Sequence, residues 1–241
     1  MKKITAILLT VLFVFMCCAC GNDKPAEQND TTAAPVADVT ETTTTDKTEP
    51  EETTDAETEP AMSDGNVIID GNTITVSDDG TGEPVDEEGM KKTPVVTTRG
   101  INYETMLGPV LFKINSIQIA VISADNETYA SYVGIETGKE YTLISIDMTV
   151  ENTSDEDVYF YPDQSTVITD HKEQITSNLL ASDSVGGDFY GNVEKTGQVF
   201  FIAEKTPADE LESFNLRIDG PSGSSHSRLT DDITIKFNIQ K

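Results

Sequence analysis

The chain has 241 residues, 43 of them Asp or Glu against 16 Lys or Arg, for a formal net charge of -27 at pH 7. The excess is spread along it, since residues 22–100 carry 20 acidic and 5 basic side chains and residues 101–241 carry 23 and 9. Such a balance argues against nucleic acid as a partner, because that binding rests on Lys and Arg neutralising phosphates, and against adsorption to anionic lipid by charge alone.

The first 21 residues, MKKITAILLTVLFVFMCCACG, read as an export signal. Lys2 and Lys3 give a positive start, Ile4 to Met16 is almost wholly apolar, and Ala19 is the small residue that a signal peptidase accepts before its cut. An apolar run of about 13 residues falls short of the roughly 20 that a membrane-spanning helix needs, which favours a cleaved signal over a retained anchor. Cys18, Ala19 and Cys20, followed by Gly21, resemble the last positions of the bacterial lipobox, with Cys17 where Leu is commonest. The resemblance implies a signal peptide over residues 1–19 and lipid on Cys20. It places the protein at the extracytoplasmic face of a bacterial cell membrane, held by a diacylglyceryl group whose methylenes each contribute about 0.8 kcal/mol. Cys17, Cys18 and Cys20 are all the cysteines of the chain, so cleavage before Cys20 leaves no disulfide and no free thiol. Core packing must then stabilise the exported domain.

Residues 20–95 are expected to form the lipidated terminus and an acidic linker. From Asn22 to Pro60 the composition is Thr, Glu, Asp, Pro and Ala, with TEP at 48–50 and again at 58–60. Low hydrophobicity and charge of one sign cannot offset chain entropy, which predicts a disordered stalk of about 75 residues spanning roughly 50 Å. Its Thr run is also compatible with glycosylation. Within it VIIDGNTITV at 67–76 carries a short-hairpin signal, two β-branched runs around Asp70, Gly71 and Asn72. Two strands alone are marginal in water, so this hairpin either joins a larger sheet or forms only transiently. Ser77 to Met90 returns to acidic loop composition.

Residues 96–241 read as strands. Tyr141 to Asn152 sets Ile144, Ile146, Met148 and Val150 on one face and Ser145, Asp147 and Thr149 on the other, a half-buried strand. Leu111–Ile122, Val158–Tyr161, Ser165–Thr169, Gln174–Asn178, Gly197–Ala203, Ser213–Ile218 and Asp232–Ile239 are further strands, and polar turns separate them. Phe200 and Phe201 imply one ring in the core and one at an edge or surface. Pro207–Ser213 is expected to make one or two helical turns capped by Thr206. The spacing predicts an all-β antiparallel sandwich. There is no Trp and no cysteine pair to bridge sheets, so antibody-type hallmarks are absent. GKEYTLISIDMTVENTSDEDV at 138–158, VITDHKEQI at 167–175 and EKTGQVFFIAEKTPADELESFNLRI at 194–218 resemble the telokin-like, immunoglobulin-like domain of unknown function found in many lipoproteins of Gram-positive bacteria. The likeness covers about residues 105–241 and brings no active site or cofactor with it.

Catalytic chemistry has few residues to draw on. His171 and His226 are the only imidazoles, and Gly220–Ser225 does not have the spacing of a nucleophile elbow. His171 lacks a second His or Cys at zinc-ligand spacing. Asp155, Glu156 and Asp157, with Asp163 nearby, are the densest acidic cluster and the candidate cation loop, although the Gly-containing EF-hand spacing is missing. Asp183 and Asp188 around Gly186 and Gly187 offer a poorer version. The sequence therefore points away from an enzyme. It points to a lipid-anchored, non-catalytic interaction module on a stalk, binding a protein or an envelope polymer. The alternative is a small-ligand-binding or accessory lipoprotein of a transporter or sensor. The anchor is tested by Cys20→Ala, which should abolish incorporation of a fatty-acid label; undiminished label would move the modification to Cys17 or Cys18.

Overall fold

The computed structural model describes residues 66–87 and 89–241. The signal, Cys20 and the Thr-rich stretch lie outside the described residues. Strands make up most of the described chain. β1 (Val67–Asp70) and β2 (Thr73–Ser77) form the hairpin. Then come β3 (Val85–Glu87), the 18-residue β4 (Met90–Leu107) and the 15-residue β5 (Val110–Ala124). A short helix, α1 (Glu127–Val133), leads to β6 (Tyr141–Asn152). After β7 (Val158–Phe160) a single 3-10 turn precedes β8 (Thr166–Thr169) and β9 (Gln174–Thr176). The chain ends through β10 (Gly187–Phe189), β11 (Glu194–Ala203), β12 (Ser213–Ile218), β13 (Ser222–Gly223) and β14 (Ile233–Gln240).

These strands build the expected all-β, immunoglobulin-like sandwich. One sheet has the order β11-β6-β5-β4-β3 and the other β1-β2-β14-β12-β8-β9, with β10-β7-β13 as a third, smaller sheet. Every pairing of these strands is antiparallel except β2 with β14, which run parallel. The core lies between the two large sheets. Ile117, Ile119, Ile144, Ile146, Met148 and Phe201 from one meet Ile74, Val167, Leu216, Ile235 and Phe237 from the other in one cluster. Within it Phe214 and Phe237 stack with centroids 4.6 Å apart, and Phe112 meets Phe160 edge-on at 5.9 Å. Of the adjacent phenylalanines, Phe201 is fully buried and Phe200 half-buried on the opposite face, as the pleat requires.

The N-terminal edge of the fold differs from the expected boundary at residue 96. The 67–76 hairpin is an integral edge of the six-stranded sheet, for β2 pairs with β14 from Thr73↔Lys236 to Ser77↔Gln240. Ile74 and Val76 are fully buried against the core. The apparent acidic loop also contains structure, because β3 pairs with the start of β4 and Asp79 receives the Thr81 and Arg99 backbone N–H groups at 2.8 Å each. Charged side chains along β3 and early β4 hide this from a hydrophobic pattern, since they occupy a sheet edge. At Pro207 the chain makes one hydrogen-bonded turn and no helix. Thr206 does not cap it: its hydroxyl donates to Glu173 Oε2 at 2.8 Å and meets Thr169 Oγ1 at 2.9 Å.

Helix α1 lies outside the sequence expectation. Asn126 caps it by accepting the Tyr129 N–H at 2.8 Å, and Gly134 ends it in the left-handed region at φ 75. Seven residues are too few to display helical periodicity. Ala130 and Val133 pack with Ile122, Ile135 and Tyr141 in a second, smaller core on the outer face of the five-stranded sheet.

That outer face also corrects the expected solvent exposure of Thr149. It is buried, and its Oγ1 receives Asn115 Nδ2 at 2.9 Å and contacts Thr196 Oγ1 at 2.8 Å. Ile146→Asp should therefore cost about 4 kcal/mol or more by placing an unpaired charge in the main core, while Thr149→Asp should still cost about 1–3 kcal/mol through the lost hydrogen bonds. Chemical denaturation of both variants measures the difference. A fragment starting at residue 96 lacks β1, β2 and β3 and should fail to give a cooperative transition, whereas one starting at Asn66 should give it.

Candidate functional site

The sequence-derived candidates scatter. Asp155, Glu156 and Asp157 are exposed in the turn after β6, where Asn152 Nδ2 donates to the Glu156 carbonyl at 2.7 Å and to that of Gly191 at 2.9 Å. Asp163 stands on the far side of β7 in the 3-10 turn, 7% exposed, with an Oδ1 that accepts no hydrogen bond. Among the described residues no three His, Cys, Asp or Glu side chains are placed to hold a metal ion. Asp183 and Asp188 are committed to structure. Asp183 Oδ2 takes the Gln198 N–H at 2.9 Å and so covers the free edge of β11, an approach that requires Gly197, since a Cβ there would lie 2.5 Å from Asp183 Cβ. Asp188 accepts the Tyr161 and Tyr190 hydroxyls at 2.9 and 3.0 Å, and these bonds hold both phenols above their ordinary pKa.

Among the described residues no serine or threonine hydroxyl is hydrogen-bonded to either histidine ring. His226, at φ 59 in the polar hairpin that follows β12, stacks on Tyr159 with centroids 5.5 Å apart. The Ser225 and Ser227 hydroxyls of that loop bond to each other at 2.9 Å. His171 Nδ1 lies 2.9 Å from Asp170 Oδ1, and Nε2 lies 3.5 Å from Glu210 Oε2. The hydrogen bond to Asp170 raises the imidazole pKa, partial burial opposes it, and Glu210 adds to the rise. For Asp170 burial acts upward but is outweighed by His171 and by the Glu212 and Ser213 N–H groups at 2.9 and 3.0 Å, so its pKa is lowered. The arrangement ties the turn after β8 to the start of β12. It is a structural clasp.

A concavity that can accept a ligand lies on the outer face of the five-stranded sheet, a groove of about 360 Å³. The register builds its floor. Thr97, Gln118, Ser145 and Phe200 form one cross-strand row from β4 to β11, and Pro94, Ala120, Leu143 and Ile202 form another. The walls come from α1 and the 178–182 loop, which hold each other through Asn178 Nδ2 to the Val133 carbonyl at 2.7 Å and the Tyr132 hydroxyl to the Leu180 carbonyl at 3.0 Å. On the rim Tyr132, Leu179 and Leu180 are 57%, 58% and 75% exposed, a run of apolar surface unusual outside contact sites. Lys92 and Arg99 line the β4 side, and no Asp or Glu lines the groove. Sequence reasoning missed Lys92 because it stands in residues that read as linker, and Arg99 because it lies at the very start of the expected domain, before its first recognised strand. Ser145 and Phe200 were visible as the outward partners of Ile146 and Phe201.

The clasp has a calculable pH dependence. Because the folded-state pKa of His171 is raised, its stabilisation is complete below the ordinary value near 6.5 and is lost as pH rises through the raised one. Asp170, being lowered, contributes above its ordinary value near 3.8 and loses that only as pH falls through the lowered one. His171→Asn should flatten the melting temperature between about pH 6 and 8 relative to the parent, read by thermal melts across that range.

Residues 107–225 match the family described as "Domain of unknown function (DUF4352)", from the last residue of β4 to just before β14. A curated relative, the SPbeta prophage-derived uncharacterized lipoprotein YonS of Bacillus subtilis (strain 168), is 25% identical over 154 residues, 63% of this chain and 68% of its own. Among solved structures, a functionally unknown protein from Listeria monocytogenes EGD-e aligns with TM-score 0.50 and 15% identity over 62% of this chain and 88% of its own. An uncharacterized β-sandwich protein from Clostridium difficile 630 aligns with TM-score 0.29 and 16% identity over 64% and 99%. Residues 107–225 are thus similar to the DUF4352 family, and the likeness of the chain to bacterial lipoproteins with a β-sandwich domain of unknown function is borne out.

Proposed function

We propose that this protein is a lipid-anchored, non-catalytic binding module, attached to the cell surface through Cys20 and carried on the acidic stretch that precedes residue 66. Its working face is the groove on the outer side of the five-stranded sheet. The observation that carries this reading is a concavity of about 360 Å³ bounded by α1 and the 178–182 loop, within the range of small-ligand sites. Three aromatic rings, Tyr129, Tyr132 and Phe200, line it beside hydroxyl and amide groups that can orient a ligand.

Two kinds of ligand fit such a surface. A protein or envelope polymer would use the exposed rim at Leu179 and Leu180 as well as the groove, as an interaction module does. A small ligand would use the groove alone, as in an accessory lipoprotein of a transporter or sensor, and the enclosure by α1 favours this second use. Catalysis has no support in the arrangement, because His171 and His226 bond to or stack on structural partners and no hydroxyl is hydrogen-bonded to either ring. Lipid anchoring raises the local concentration of the domain at the envelope, so release from the membrane should weaken its action even with the groove intact.

Ser145 sits at the centre of the groove floor, and Ser145→Trp should fill the concavity from a position that points away from the main core. Amide shifts induced by a small-fragment library should map to residues around Gln118, Ser145 and Phe200 in the parent and vanish in the variant. Replacing both His171 and His226 with Asn should leave these shifts in place. Fragment shifts spread evenly over the surface, or an envelope hydrolase activity lost in the double histidine variant with the fold intact, would overturn the proposal.

A further inference from the structure

We infer that the groove takes a small amphipathic anion, with a carboxylate or phosphate head at its Arg99 end and an apolar body running beneath α1; this rests on the groove being the binding site. The charge distribution is the first argument. In a chain of net charge -27, random placement would surround any concavity with carboxylates, yet this one is lined by two cations, Lys92 and Arg99, and by no Asp or Glu. Some other cations of the described residues are in ion pairs, as Lys139 is with Glu204 at 2.6 Å and Arg217 and Arg228 are with Asp232 at 3.1 and 2.6 Å. No carboxylate of the described residues comes within ion-pair distance of Lys92 or Arg99. Asp79 accepts the Arg99 backbone N–H at 2.8 Å and is also attracted by the Arg99 charge, without forming an ion pair with it.

The second argument is the gradient along the groove. Register places Arg99 opposite Ser116, and the next row brings Thr97, Gln118 and Ser145, so the Arg99 end offers a guanidinium fork with hydroxyl and amide groups around it. Such a fork matches the planar oxygens of a carboxylate or phosphate bidentately. The next row carries Leu143 and Ile202, and the one after it Ile122 opposite Lys92, while Tyr129 and Val133 of α1 close over this end. Water held against that end gains little, so a short alkyl or aromatic body would displace it favourably, at about 0.8 kcal/mol per buried methylene. A cationic head would meet Arg99 at one end of the groove and Lys92 at the other and be repelled at both. An anion without a body would leave the apolar end unfilled.

Calorimetric titration of the full-length, unlipidated chain tests this with four probes: decanoate, decyl phosphate, decyltrimethylammonium and acetate. Decanoate or decyl phosphate should bind saturably with one-to-one stoichiometry, at least tenfold more tightly than acetate and decyltrimethylammonium. The comparison of the first two separates a carboxylate from a phosphate head. Arg99→Glu should weaken the decyl anions at least tenfold, Arg99→Gln by less, and Ser145→Trp should abolish binding, while thermal melts show each variant folded. Decyltrimethylammonium binding as tightly as decanoate, and blocked by Ser145→Trp, would overturn the anion assignment and leave the groove reading standing. Acetate binding as tightly as decanoate would overturn the amphipathic assignment in the same way. Saturable decanoate binding untouched by Ser145→Trp would place the ligand elsewhere and overturn both.

Discussion

The register of β5 and β6 is the constraint on which the rest of the molecule depends. These two strands are central in their sheet, and both faces are put to use. Ile117, Ile119, Ile144 and Ile146 fill the sandwich, while Gln118, Leu143 and Ser145 face α1 and the groove. Because the side-chain period of a strand is two, a slip of one residue would exchange the two sets, putting Ser145 into the main core and Ile146 on the groove floor. One of those outcomes buries unpaired polar groups and the other removes the hydrogen-bonding groups from the concavity. Folding and ligand capture are therefore coupled through one register. The bulge between Ile114 and Ser116 matters for the same reason, since it frees Asn115 to bond Asp147 and Thr149 on the outer face without disturbing the inward isoleucines.

Among the described residues, which contain no cysteine, the second contribution to closure is the N-terminal hairpin. β14 would otherwise be a long edge strand with Ile235, Phe237 and Ile239 directed to the core side. β2 pairs with it in parallel and β1 finishes the edge, which converts an exposed ladder into a short, partly charged rim ending at Asp70. The Tyr103 hydroxyl reaches across to Asn72 at 2.9 Å and ties this hairpin to β4 of the other sheet. The DUF4352 match spans residues 107–225 and so leaves out both β14 and the hairpin, the two partners of this pairing.

Sequence alone reveals the strands that bury one clean face. β6, β11, β12 and β14 are legible because Ile, Val and Phe recur at every second position, and the 67–76 hairpin is legible because Asp70, Gly71 and Asn72 mark its turn. What that hairpin pairs with is not legible, since a parallel partner about 160 residues away leaves no local trace. β4 is obscured for a different reason. Its first residues, Met90–Thr93, place two adjacent lysines and a threonine along the edge that pairs with β3, and Pro94 follows at a bulge. Helix α1 carries its signal only in its caps, Asn126 and Gly134. Thr149 looks like a solvent-facing residue because its burial comes from Asn115 and Thr196, polar neighbours that no hydropathy pattern registers.

The candidate site depends on those less legible elements. Two of its walls are α1 and the 178–182 loop, its cations stand on β4, and only the floor comes from strands that alternation exposes. That distribution has a physical basis. A groove must be bounded by segments that leave the regular sheet, and its polar groups must break the hydrophobic pattern by which strands are recognised. Charge supplies what pattern cannot. Within the acidic background of this chain, a groove lined by Lys92 and Arg99 and by no Asp or Glu stands out by its sign. Keeping carboxylates away from one concavity, beside an apolar end closed by a helix, selects a ligand by sign and by shape together. An interior sandwich core requires neither.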